Sequence, residues 1–335
     1  MSETAPTTTP ARAGQSPAGA IVPGDIARTR AYIDAATAPN TRRAYRSDWD
    51  DFARWCAAHG LPSLPATPET VALYLAALAQ VAKVSTVGRR LTAIAKAHRA
   101  AGYETPTKSE AVHLTMRGIR RTHGVAPTQK APAVLADLRA MLAVLPDTLI
   151  GTRDRALLLL GFAGAFRRSE LVSLDVADLA FGERGMTVTL RRSKGDQEGE
   201  GAKKGIPFGR HALTCPVGAV RDYMDMSGIS EGPLFRPINR HGQVGKFRLG
   251  DKAVALVVKR AAEVAGLDPT QYAGHSLRAG LATSAAAGGA QERDIMRQTG
   301  YRSVQMLRRY RDNYLGQTQD NGPLSRRDAR VPVRA

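Results

Sequence analysis

From Asp25 to about His123, apolar residues recur at spacings of three and four, the period of helices that bury one face. The first segment opens at Asn40-Thr41, carries Tyr45, Trp49, Phe52 and Trp55 on one stripe, and is ended by Gly60, Pro62 and Pro65. A second stripe runs through Val71, Leu73, Leu75 and Leu78, and a third through Val84, Val87, Leu91, Ile94 and His98. A fourth helical segment covers about Lys108 to Thr122. These segments predict a small helical bundle. Residues 1–24, in contrast, are rich in Pro, Thr, Ala and Gly. They hold too few large apolar groups to offset the entropy of ordering them, so this tail is expected to be disordered.

Residues 124–133 (GVAPTQKAPA) contain two prolines and few core-forming side chains and read as a linker. The remaining chain, 134–335, is again mostly helical, with one change of period. Gly185–Arg192 (GMTVTLRR) places β-branched residues at alternating positions, and Gly205–Phe208 could pair with it across the polar stretch Lys194–Lys204. The expected architecture is therefore mainly α: a helical N-terminal domain over 25–123 and an α+β domain with a small antiparallel sheet.

Charge narrows the function. Forty-eight Lys and Arg against 30 Asp and Glu leave +18, an excess that attracts polyanions over long range, and nucleic acid is the commonest one in a cell. Eight Lys/Arg (89, 90, 96, 99, 108, 117, 120 and 121) stand between Val84 and Gly124 against Glu104 and Glu110. They sit opposite the apolar stripe, which suits phosphate contact and equally an ordinary solvated face. Two distant cysteines, Cys56 and Cys215, exclude a disulfide scaffold, and the histidines lack metal-ligand spacing. No membrane span or signal peptide is evident, which points to the interior of the cell.

Four segments of the second domain could carry chemistry: Gly164-Ala-Phe-Arg167-Arg-Ser-Glu170-Leu, Arg192-Ser-Lys194-Gly-Asp at the hairpin tip, Gly274-His275-Ser-Leu-Arg278, and Gly300-Tyr301 followed by Arg309-Tyr310. Singly, each has a bland explanation: a surface ion pair, a solvated lysine, a structural His–Arg pair, a tyrosine with its hydroxyl at the surface. Together they ask for one reaction. Breaking a phosphodiester without a metal or nucleotide needs a nucleophile, cations for the equatorial oxygens and an acid for the leaving oxygen. A tyrosine hydroxyl, with a pKa near ~10, attacks only when cations and a base assist it. Arginine forks match phosphate oxygens, while lysine and histidine supply movable protons.

In this order, these motifs resemble the tyrosine recombinase (phage integrase) family, in particular its Cre-like members. The likeness extends over most of residues 25–312, including NTRRAYRSDWDDFARWC, VSTVGRRLTAIAKAHRA and SEAVHLTMRGIRR in the first domain. Tyr310 follows His275 by 35 residues and Tyr301 by nine, as the family pattern requires. The resemblance implies an N-terminal core-binding (SAM-like) bundle and a catalytic domain that grip double-stranded DNA as a C-shaped clamp. It implies a homotetramer on paired sites and no cofactor. Arg167 and Arg278 would clamp the scissile phosphate, Lys194 would protonate the 5′-oxygen and His275 would assist proton transfer at Tyr310. Glu170 would orient its neighbours, and Tyr310 would form a 3′-phosphotyrosine. Tyr314 fails the spacing. DNA contacts would come from Arg43, Arg89 and Arg90 in the first domain and from Lys259 and Arg260 in the second.

Two departures stand out. Tyr301 occupies a position where the family usually has His or Trp, and its hydroxyl could donate to phosphate. GQTQDNGPL after Tyr310 breaks the helix by which Cre-like members dock onto a neighbouring subunit. Two other activities remain open: a type IB topoisomerase sharing the Arg–Lys–Arg–Tyr chemistry, and a DNA-binding protein without catalysis. A phosphate-loop nucleotidase lacks its motif, because the glycines and lysines of 199–205 have the wrong spacing.

Overall fold

The computed structural model describes residues 23–126, 129–191 and 201–305. The chain divides into two compact units between Pro127 and Thr128. The first unit contains α1 (Pro23–Ala35), α2 (Pro39–Ala58), α3 (Pro68–Ala79), α4 (Val84–Ala100) and α5 (Glu110–His123). The helix α1 takes in the last two residues of the expected tail; the rest of that tail lies outside the described residues. Pro39 occupies the first turn of α2, where a missing N–H costs nothing, so Asn40 and Thr41 fall inside the helix rather than capping it. Thr67 caps α3 by accepting from the Thr70 N–H, and Ser109 caps α5 by accepting from Val112. Of the residues read as apolar stripes, Phe52, Val71, Leu75, Leu78, Val87 and Ile94 are buried, and Tyr74, Val112 and Met116 join them in the core. Leu73 instead lies on the outer face of α3, 59% exposed.

His98, read as part of an apolar stripe, is fully buried and fully used. Its Nε2 accepts from the Ala66 N–H at 2.9 Å, and Nδ1 lies 2.9 Å from the Ile94 carbonyl, which makes Nδ1 the protonated nitrogen.

The second unit contains α6 (Leu135–Ala143), α7 (Leu149–Ala163), α8 (Arg168–Ser173), α9 (Pro216–Ser227), α10 (Asp251–Val264), α11 (Ser276–Ala287) and α12 (Glu292–Thr299). Leu157–Leu160 of α7 are all buried, so this helix is covered on every side and runs through the core. The antiparallel sheet is β1 (Leu179–Gly182), β2 (Gly185–Leu190) and β3 (Ala202–Pro207), in that order, with Met186 opposite Ile206 and Val188 opposite Lys204. The expected pairing is present, but Ala202–Lys204 belong to β3 rather than to the loop, and β1 adds an unforeseen strand.

The linker is also shorter than its composition suggests. Lys130 Nζ donates to the Thr270 carbonyl, the Ala131 N–H to Gln271 and the Ala133 N–H to Ser276. Ala133 is wholly buried, and a Cβ on Gly280 of α11 would collide with its carbonyl. These residues are part of the second unit. No described helix is long and apolar enough to cross a membrane.

Candidate active site

Two helix ends and two helix starts build the site. The α7 helix stops at Gly164, where a Cβ would strike the Phe166 ring. Ala165 follows in the left-handed region at φ 46°, a conformation that strains a residue with a side chain. Hydrogen bonds from Ala165 N–H to Phe162 and from Phe166 N–H to Gly161 hold the turn. Arg167 then precedes the first residue of α8. The Glu170 carboxylate, 4% exposed, accepts from the Arg167 backbone N–H at 2.9 Å and pairs with its guanidinium. One acidic side chain thus satisfies an orphan helix N–H and aims the arginine. At the other end of α8, Arg248 donates to the carbonyls of Val172 and Leu174.

Arg278, one turn into α11, is 1% exposed. Its Nη1 donates to the Ala165 carbonyl at 2.8 Å, and its guanidinium carbon lies 4.7 Å from the centre of the Tyr301 ring. Among the described residues, its Nε and Nη2 meet no acceptor in hydrogen-bonding geometry. Burial, then the charge of Arg167, lowers its pKa. His275 stands just before α11 with its side chain exposed at the rim. The protein packed around it, then Arg278 and Arg167, hold its pKa below the ordinary histidine value. Tyr301 follows the left-handed Gly300 that ends α12 and is buried with Ala282, Ala285 and Ile295. Its ring is a shelf under Arg278, a cation–π placement that the sequence did not disclose.

The structure therefore gathers Arg167, Glu170, His275, Arg278 and Tyr301 in one place. Lys194 and Tyr310 lie outside the described residues. A further residue, missed by sequence reasoning, sits among them. Lys204 of β3 is 8% exposed, donates to the carbonyls of Gly164 and Gln298, both at 2.6 Å, and lies 4.9 Å from the Phe166 ring centre. Burial, then the charge of Arg278, lowers its pKa to about 8. With β3 starting at Ala202 rather than Gly205, Lys204 falls two residues before the inward-facing Ile206 and so on the same face.

A cationic pocket built this way suits an anion with several oxygens, and the chain's relatives say which chemistry surrounds it. Residues 135–316 match the phage integrase family, and residues 31–104 match its N-terminal SAM-like domain. The chain belongs to the phage integrase family, the tyrosine recombinases. An integrase/recombinase XerD homologue from Selenomonas ruminantium is 44% identical over 288 residues, covering 84% of each chain. Recombinase Cre of Escherichia phage P1 is 26% identical, covering 80% of this chain and 82% of Cre. Membership of the family thus holds, while the particular likeness to Cre is the more distant one. Among solved structures, a lambda integrase dimer bound to a COC′ core site superposes with a TM-score of 0.58 at 16% identity, over 92% of this chain and 79% of that one, which shows the shared fold.

The basic residues expected at DNA divide by what they touch. Arg43 is exposed and bonds Asn40 one helical turn earlier, and Lys259 is exposed with no carboxylate partner among the described residues. Arg89 holds Asp48 with two bonds of 2.8 and 2.9 Å while half its side chain stays exposed. Arg90 is turned inward between Asp48, Asp51 and the Tyr74 hydroxyl, a structural placement that speaks against the DNA contact expected of it. Arg260 pairs with the buried Asp154, which also binds Arg153.

Proposed function

We propose that this protein cuts and rejoins DNA at specific sites through a 3′-phosphotyrosine on Tyr310. The observation that carries the reading is Arg278, a buried cation beside Arg167 and His275 whose Nε and Nη2 meet no acceptor among the described residues. A scissile phosphate would supply those acceptors. Its non-bridging oxygens would be held by Arg278 and Arg167, the latter fixed by Glu170, with charge growing on them as phosphorus becomes five-coordinate.

In the first step, the Tyr310 oxygen bonds to phosphorus and the bond from phosphorus to the 5′-oxygen breaks. His275, uncharged near neutral pH because its pKa is lowered, takes the tyrosine proton, and Lys194 gives one to the departing 5′-oxygen. The phosphotyrosine keeps the energy of the broken bond, so a 5′-hydroxyl from a partner duplex can reverse the step without a nucleotide. Two such exchanges, one strand at a time, pass through a Holliday junction within a homotetramer on paired sites. Arg43 and Lys259 are proposed as phosphate contacts, joined by the exposed parts of Arg89 and Arg260. The reaction would take place inside the cell.

The test uses nicked duplexes tiled across the genomic DNA that flanks the gene. Loss of the released fragment traps a protein–DNA adduct, which should form with the wild type and vanish in Tyr310→Phe. An adduct that persists in that variant removes Tyr310 from its role. Replacing the bridging 5′-oxygen by sulfur, which leaves without a proton, should restore cleavage to Lys194→Ala.

A further inference from the structure

We propose that Lys204 is a positioning residue of this active site, pinning the end of α12 to the turn between α7 and α8. The proposal rests on the reading of the site given above and adds a residue to it. Three segments meet at one nitrogen. Lys204 lies on the inward face of β3 beside Ile206, and its Nζ donates to the Gly164 carbonyl, at the end of α7, and to the Gln298 carbonyl, in the last turn of α12. Carbonyls at helix C-termini have no partner within the helix and carry the negative end of its dipole. One ammonium therefore caps two helices at once. The Gln298 side chain doubles the link, donating to the Ala163 carbonyl at 2.8 Å.

Both capped helices lead directly into functional residues. After α7 come Ala165, whose carbonyl receives Arg278, and then Arg167; after α12 come Tyr301 and the chain to Tyr310. Placement of Tyr301 and the end of α12 relative to Arg167 and Arg278 thus passes through Lys204. The charge is kept at a cost, because burial disfavours it and Arg278 and Arg167 repel it, while Glu170 attracts it. An apolar side chain would suit the inner face of the sheet better, as Ile206 illustrates, but it would leave two carbonyls unpaired. Lys204 is not the leaving-group acid in this scheme, since its hydrogen bonds go to backbone carbonyls.

The test compares full-length wild type with Lys204→Met, which removes the donors, and Lys204→Arg, which retains them. Amide hydrogen exchange without DNA should rise about tenfold or more over 164–168 and 299–302 in the Met variant, and return toward wild type in Arg. On nicked duplexes that give an adduct with the wild type, Lys204→Met should bind normally but cleave about 10–100-fold more slowly, the scale of a displacement near 1 Å. Sulfur at the bridging 5′ position should not restore that rate.

Unchanged exchange in both segments overturns the pin, and restoration by sulfur makes Lys204 the acid instead. If Lys204→Met loses its cooperative melt, Lys204→Leu, which also lacks donors, is compared by the same two criteria. A wild type that cleaves no duplex defeats the recombinase reading, whereas the pin is decided separately by exchange.

Discussion

Replacing Arg278 by Met should stabilise the protein while abolishing cleavage. The guanidinium is buried, two of its nitrogens have no acceptor among the described residues, and its charged neighbours include Arg167 and Lys204. Each buried donor without a partner costs about 1–3 kcal/mol. Against this, the substitution forfeits the bond to the Ala165 carbonyl and the contact with Tyr301, the latter worth about 0.5–2 kcal/mol. Replacing a whole buried ion pair by apolar residues is often neutral or stabilising by about 1–4 kcal/mol, and Arg278 has no carboxylate hydrogen-bonded to it among the described residues. A gain of about 1–2 kcal/mol is expected here, which for a unit of this size raises the Tm by roughly 2–8 °C. Thermal unfolding followed by circular dichroism measures it. Adding inorganic phosphate should then narrow the gap, because the anion serves only the wild type. A Tm several degrees below wild type would falsify the view of Arg278 as a strained, unsatisfied cation.

Four further outcomes follow from particular contacts. Glu170→Ala should lower stability by about 1–3 kcal/mol and slow cleavage, because the Arg167 N–H and guanidinium lose their shared acceptor; urea unfolding and adduct formation report the two effects. Tyr301→Phe should cleave faster than Tyr301→Ala, since the ring shelf under Arg278 survives only in the former; equal rates would dismiss the shelf. Arg90→Ala should weaken the first unit by about 1–3 kcal/mol, whereas Lys259→Ala should leave the melt unchanged and reduce the salt dependence of DNA binding by about 0.9 in log–log slope. His275 has a lowered pKa in the folded state, so between that value and about 6.5 the unfolded chain binds more protons. Its contribution to stability is therefore present above that window and lost as pH falls through it; His275→Gln should flatten this part of the pH–stability curve.

Much of this was legible in the sequence because it follows from short-range periodicity. The core of the first unit lies where residues at spacings of three and four placed it, and the pairing of β2 with β3 follows from alternation around Thr187 and Thr189. What escaped depends on partners far along the chain. Arg90 and Arg89 look alike in sequence, yet one turns inward because Asp48, Asp51 and Tyr74 converge on it. Lys204 reads as loop until its register opposite Val188 assigns it to the inner face of the sheet. Tyr301 suggests a hydroxyl to a reader of sequence, whereas its ring sits beneath Arg278, 23 residues earlier.

The partners of the inward-turned cations separate those neutralised within the fold from those whose charge stays available to the site. Arg153 meets the carboxylate of Asp154 and Arg90 that of Asp48, and pairs turned inward in this way leave little field for an outside anion. Arg278 and Lys204 are held by the carbonyls of Ala165, Gly164 and Gln298 instead. A carbonyl dipole accepts a hydrogen bond without cancelling a unit charge, so it orients the cation and leaves its field available. Glu170 is compatible with this arrangement because its carboxylate bonds the Arg167 backbone as well as the guanidinium. The strained turn at Ala165 is then intelligible, since it directs a carbonyl at Arg278 where a carboxylate would have neutralised the site. Introducing one tests the argument: Ala282→Asp, on α11 one turn beyond Arg278 and packed against Tyr301, should raise the Tm of a folded variant relative to Ala282→Asn yet suppress adduct formation at least tenfold more. Equal activity of the two would mean that the field of the free cations does not drive the reaction.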